Sequence, residues 1–208
     1  MKRLFILLLL GTVFTSCKQD TPPRVLLFIR DGAADLEFML TEEVGVAKKM
    51  LEQAGIEVVV ATLAGEPITA GSTELRPDLK LSDVRVADYQ GFILPCMAAG
   101  ASPAAPETIA MVEKAAAEGK PVAAQRNAVR TLAKSGVLVG KRHAFGREID
   151  VTELTDFKGG LYSGTGVIQD GNIITSGICP YAARTRGVQH GTEELTRTLI
   201  EVIKARSK

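Results

Sequence analysis

Two spacings of apolar residues divide this 208-residue chain. Continuous apolar runs, too short for helices, stand at Arg24–Arg30, Ile56–Leu63, Asp88–Pro95 and Pro121–Gln125. Runs of that kind read as strands covered on both faces. Between them the apolar positions recur at helical spacing. Leu36–Ala54 carries Val44, Ala47, Leu51 and Ala54 on one stripe and is closed by Gly55. Pro106–Glu118 carries Ile109, Val112 and Ala116 before Gly119. From Asn127 onward, Val129, Leu132 and Ala133 share a face, and Gly136 stands at a C-cap position. The last stretch, Thr192–Ala205, places Leu195, Leu199, Val202 and Ile203 together, with Thr192 as N-cap and Glu193 and Glu194 complementing the helix dipole. Gly164–Ser176 is a β-hairpin pattern turning at Asp170-Gly171. Val137–Phe145 is a further strand candidate broken by Gly140, and Glu66–Val86 reads as short edge strands or a hairpin.

This alternation predicts an α/β fold: a flavodoxin-like three-layer sandwich with a mostly parallel sheet and helices on both faces. Ligands of such sheets bind beyond the carboxyl ends of the strands, where strand order reverses. Four segments should meet there: Asp31–Glu37, Pro95–Gly100, Arg126 and Gly177–Arg186. Arg126 is the distinctive one. It stands between the strand Pro121–Gln125 and the helix after it, a turn that in many α/β enzymes presents a nucleophile. Here the turn presents a permanent cation.

The first residues follow a different rule. Lys2 and Arg3 precede the apolar run Leu4–Leu10, and Thr15 and Ser16 then precede Cys17. Residues 1–16 read as a secretory signal peptide, and the ending FTSC resembles the lipoprotein signal whose cysteine is lipidated. Cys17 is thus the expected lipidation site and residues 17–23 a polar tether, with one domain over 24–208. The expected location is the cell envelope, anchored to a membrane through the lipid.

Composition narrows the function classes. The net charge is +1 and tryptophan is absent, which argues against nucleic acid and against a stacking platform. The histidines are His143 and His190, and no metal-ligand spacing is present, so neither a metal nor another cofactor is expected. Besides Cys17 there are Cys96 and Cys179, both just past strand ends that point into the same crevice. In an exported protein they permit one disulfide; free buried thiols, or a nucleophile at Cys96, are the alternatives. Asp31 and Asp35 are most simply turn and helix-start residues.

The segments RVLLFIRDGAADLE, QAGIEVVVATLAG, DYQGFILP, GKPVAAQRNAVRTLAKSGVLVGK and QDGNIITS, in this order, resemble the ThiJ/PfpI family, which includes the Parkinson-linked deglycase and belongs to the class I glutamine amidotransferase-like superfamily. The resemblance covers nearly the whole domain from Arg24. It implies a cysteine nucleophile at the strand-to-helix turn, an acidic residue after the first strand, and a Gly-Gly pair after the L-P strand that helps bind an oxyanion. Matched residue by residue, the nucleophile position falls on Arg126, with Asn127 after it. The acidic position falls on Glu37, and the glycines fall on Cys96 and Met97. A histidine that some members carry falls at about Gly146. Arginine can neither deprotonate in the physiological range nor attack a carbonyl.

Two accounts of Arg126 follow. It fills the old site as an ion pair with Glu37, or it reads a ligand carboxylate or phosphate with the help of the helix N-terminus. The segment Gly177–Gly191, with Arg184, Arg186 and His190, either adds charge to that site or is a solvated loop. The functional expectation is a non-catalytic, pseudoenzyme-like domain that binds or senses a small anion, with Glu37, Arg126, Asn127, Cys96 and Met97 around the ligand. The rival is a hydrolase, glyoxalase or deglycase-type enzyme using Cys96, with Glu37 as its base. The resemblance also implies a homodimer.

Overall fold

The computed structural model describes residues 21–30, 32–99, 104–147 and 154–206. The expected lipoprotein signal and Cys17 lie outside them, as do Asp31 and Gly100. A seven-stranded sheet forms the middle layer, in the order β10-β11-β7-β6-β1-β2-β5. Its strands are β1 (Arg24–Phe28), β2 (Glu57–Thr62), β5 (Leu79–Lys80), β6 (Gly91–Leu94), β7 (Val122–Gln125), β10 (Val167–Asp170) and β11 (Ile173–Ser176). All neighbours pair in parallel except β10 with β11.

The continuous apolar runs have the expected cause. Along β1 the pleat sends Leu26 and Phe28 to one face and Val25, Leu27 and Ile29 to the other, and all are fully buried. The first face is covered by α2 (Pro106–Ala117) and α3 (Val129–Lys134). The second is covered by the long helix α1 (residues 36–53), by α4 (Pro180–Arg186) and by α5 (Thr192–Arg206). None of the helices among the described residues is long and apolar enough to cross a membrane.

Four details differ from the sequence expectation. The helix expected over 36–54 is α1, but it is not uniform: α over Leu36–Met39, π over Leu40–Gly45, and α again over Val46–Gln53. Val137–Phe145 contributes only the short strand β8 (Arg142–His143), because Gly136 and Gly140 turn the chain at positive φ and Val139 stays exposed. β8 pairs outside the main sheet with β9 (Leu161–Tyr162). The segment after Gly177 is not a solvated loop throughout, since Pro180–Arg186 forms α4. Within the 66–86 segment the expected hairpin is present as β3 (Ile68–Ala70) and β4 (Thr73–Leu75). The hairpin at the far sheet edge turns on Gly171-Asn172, one residue later than expected, with Asp170 paired to Ile173.

Candidate functional site

At the carboxyl ends of β1, β6, β7 and β11 lies a cavity of about 280 Å³. It is lined among the described residues by Gly32, Ala33 and Ala34, by Cys96, by Arg126 and Asn127, and by Cys179, Ala182 and Arg186. The four segments expected to converge do so. The sheet order reverses between β1 and β6, so the cavity stands at the topological switch point.

Arg126 follows β7 directly and has φ 50°, in the left-handed region. A side chain with a Cβ is strained there by roughly 1–2 kcal/mol. The sharp elbow is therefore kept, with a cation at its apex. The guanidinium lies over the Phe145 ring at 5.2 Å from its centroid. It also fills the space above Gly146, where any added Cβ would collide with it. A side chain at this position would displace the guanidinium from its place.

The buried acid is Glu43, which is 1% exposed and sits in the π segment of α1. Its Oε1 accepts the Cys96 amide at 2.8 Å, and the carboxyl also accepts the Met97 amide. Oε2 has no partner. Burial, and next the negative charge at Cys179, hold this carboxyl well above the usual carboxylate range, against the pull of those two amides. The side chain of Met97 is buried in the core, not turned to the cavity.

Cys179 immediately precedes α4, with extended backbone at φ −89° and ψ 167°. Gln125 holds this segment against the elbow: its Nε2 donates to the Ile178 carbonyl at 2.8 Å, and its Oε1 accepts from Thr192 Oγ1 at 3.2 Å. Cys96 and Cys179 are both free thiols. The two thiols interact through a side-chain hydrogen bond that raises the acidity of Cys179 and lowers that of Cys96. That bond, the amides of Ala182 and Tyr181, and the charge of Arg126 bring Cys179 from 9.0 down to about 7, although burial opposes them. Cys96 moves the other way, through the same bond, burial and the nearby Glu43, despite an amide donated by Asn127.

The sequence matches the DJ-1/PfpI family model over residues 23–183. The chain belongs to the DJ-1/PfpI family. An uncharacterized protein of Archaeoglobus fulgidus is 32% identical over 162 residues, which is 74% of this chain and 88% of that one. A DJ-1 superfamily protein from Agrobacterium tumefaciens superposes with a TM-score of 0.63 at 20% identity, covering 89% of this chain and all of that one. DJ-1beta of Drosophila melanogaster gives 0.58 at 24% identity, covering 88% and 98%. These likenesses carry the fold.

Against the DJ-1/PfpI pattern, several residue assignments need correction. Glu37 is exposed and lies outside the cavity. Its Oε1 accepts from the amide and hydroxyl of Ser72, at 3.2 and 3.1 Å, and its carboxylate lies close against Gly71. Glu37 thus fastens the β3–β4 hairpin, and no ion pair joins it to Arg126. The acid beside the cysteines is Glu43, six residues later. The signal was available: Met39, Glu43, Ala47 and Leu51 recur at four-residue spacing, a carboxylate standing in an apolar stripe. Of the alternatives for the two cysteines, the structure has free thiols in place of the possible disulfide. Cys96 is the less acidic of the two, so the thiol better suited to attack is Cys179, which the sequence reading offered as a disulfide partner or a free buried thiol but not as a nucleophile. The amides at the two glycine-matched positions turn to Glu43 and not into the cavity.

Arg184 does not join the site. It pairs with Asp35 and lies over the Phe38 ring at 4.1 Å, while Arg186 lines the cavity and donates to the Gly146 carbonyl at 3.2 Å. His190 contacts Thr192 Oγ1 at 3.1 Å, outside this cavity. His143 is buried in a stack with Phe157, and burial lowers its pKa. Among the described residues no group of histidine, cysteine and acidic side chains could hold a metal ion.

Proposed function

We propose that this protein is an exported, lipid-anchored DJ-1/PfpI domain that binds a small anion next to Arg126 and does not use an elbow nucleophile. One observation carries the reading: the elbow geometry of the family is retained at φ 50°, and its apex lines the cavity with a guanidinium. A guanidinium at that place offers a planar fork of donors suited to a carboxylate or phosphate. Arg186 adds a second cation to the lining. The FTSC ending of the signal-like segment supports the anchor, and the family resemblance supports a homodimer.

Calorimetry with glyoxylate and inorganic phosphate tests the binding. Wild-type protein should bind one of them and Arg126→Gln should lose at least about tenfold in affinity. Equal affinity in both proteins would remove Arg126 from the reading. Radiolabelled palmitate incorporation lost in Cys17→Ala tests the anchor, and light scattering tests the dimer.

A second reading is favoured by the acidity of Cys179. The site would then act on small carbonyl compounds, as a glyoxalase or deglycase-type enzyme does, with Cys179 in place of Cys96 as nucleophile. Turnover of methylglyoxal by wild type that disappears in Cys179→Ser and survives in Cys96→Ala would establish this reading over the first.

A further inference from the structure

Away from the cavity, the most exposed large apolar side chains among the described residues are Val139 and Leu161, 64% and 54% exposed. They are neighbours. The Gly140 amide donates to the Gly159 carbonyl at 2.8 Å, and the Leu161 amide donates to the Lys141 carbonyl at 2.9 Å, so the two segments run side by side. Apolar residues scattered singly over a surface need no explanation, but a pair set together does. Cations surround it. Lys158 is exposed, the Arg142 side chain is exposed, and Lys141 is half-buried. Asp170 stands against Arg142, at 3.9 Å from its guanidinium, while Asp156 pairs with Arg130 and Lys134. The patch therefore keeps a positive charge.

This patch stands at the amino end of the parallel strands. Lys141 Nζ lies against Gly171 in the β10–β11 turn. Asn172 of that turn donates to the Lys120 carbonyl, just ahead of β7, at 2.9 Å. Lys120 Nζ donates to the Tyr89 carbonyl, and the Arg24 guanidinium lies over the Tyr89 ring at 5.4 Å. The rim is continuous from the patch to the residue where the chain enters the fold. Three strand spacings, about 15 Å, separate β11 from β1. Residues 18–23 span at most roughly 20 Å, so a lipid at Cys17 would keep this rim close to a bilayer.

We propose that Val139 and Leu161, with Lys141, Arg142 and Lys158, form a docking surface for an anionic lipid membrane; this rests on the anchor reading above. The two apolar side chains enter the headgroup boundary and the cations meet the anionic lipid. The lipid sets how far the domain can stray, and the patch sets which way it is turned.

The test uses the purified full chain on phosphatidylcholine vesicles with or without phosphatidylglycerol, with brominated acyl chains as quencher. The chain has no tryptophan, so Leu161→Trp carries the sole reporter. Val188→Trp is the control: Val188 is 50% exposed but lies between α4 and α5, at the carboxyl end of the strands. With phosphatidylglycerol present, Leu161→Trp should emit at shorter wavelength and be quenched at least about twofold more than Val188→Trp. Lys141→Glu together with Lys158→Glu should bring it down to the control. Equal quenching at both positions, or quenching of Leu161→Trp indifferent to phosphatidylglycerol or to that charge reversal, overturns the proposal. So does a shift in emission that appears without vesicles as protein concentration rises, because a second copy then covers the patch. A thermal melt checks each variant, and Val139→Trp takes the place of Leu161→Trp if the latter does not fold. Palmitate incorporation is read separately. A lipidated chain with an unquenched reporter refutes the patch and leaves the anchor. An unlipidated chain whose reporter is still quenched on anionic vesicles refutes the anchor and leaves the patch.

Discussion

Two strand-to-helix turns lie side by side at the cavity. One follows β7 and the other follows β11, and the register places Gln125 opposite Ser176. The β7 turn is strained: Arg126 occupies the left-handed region with a full side chain. The β11 turn carries its cysteine on ordinary extended backbone. The strained turn holds a cation that can only attract; the relaxed one holds a thiol that can react. In the family pattern the strained turn carries the thiol. Here attraction and reactivity are divided between neighbouring turns, and Arg126 still acts on Cys179 through its charge. An elbow is therefore a way to present a charge, and the chemistry depends on which charge is presented.

The largest expected effect comes from separating the two turns. Gln125 is 1% exposed and bridges them through Ile178 and Thr192. Gln125→Leu removes two buried hydrogen bonds, leaving the Ile178 carbonyl only the Gly191 amide and the Thr192 hydroxyl only His190, and should cost about 2–3 kcal/mol in urea denaturation. A cost near zero would mean the turns are positioned independently. Next, Gly146→Val forces a side chain into the guanidinium and should cost about 1–3 kcal/mol. Combined with Arg126→Ala, most of that cost should vanish; strictly additive losses would show that Arg126 does not occupy that space.

A smaller effect tests the strain itself. Arg126→Gly should be more stable than Arg126→Ala by about 1 kcal/mol, because only glycine accepts φ 50° without penalty. Equal stability would mean that the elbow relaxes once arginine is gone. The smallest effect is a shift in a titration. Cys179 sits at about 7, so its reaction with a small haloacetamide should rise with pH through that value and fall off below it as the thiolate is protonated. Removing the cation with Arg126→Gln removes a cause of the lowering, so the midpoint should move upward. An unmoved midpoint would break the electrical link between the turns.

The sheet, its layers and the place of the cavity were legible in the sequence, because buried parallel strands leave uninterrupted apolar runs. The elbow was legible too, through the strand, the following helix and Gly136. The acid was not. Glu37 lies at the expected distance after β1, but α1 is widened by a π segment, and that segment brings Glu43 inward. Hydrogen-bond pattern within a helix leaves little trace in residue order. Cys179 was visible as a cysteine but not as the acidic one of the pair. Its acidity depends on which thiol donates to which, and on the direction of two amides at the start of α4. The coupling of Gly146 to Arg126 is likewise a matter of shape: the two are adjacent across the fold and twenty residues apart in the chain.

The parallel sheet also sets how the molecule is held. β1 begins at Arg24, and the cavity lies past the opposite end of that strand, about 15 Å away. The last helix ends on the same lower side as Arg24, where the Arg206 side chain meets the Gly119 carbonyl ahead of β7. An anchor upstream of Pro22, as proposed, would hold the domain by its base. The mouth of the cavity would then face away from that anchor, like a cup fixed by its foot, open to solutes arriving from the far side.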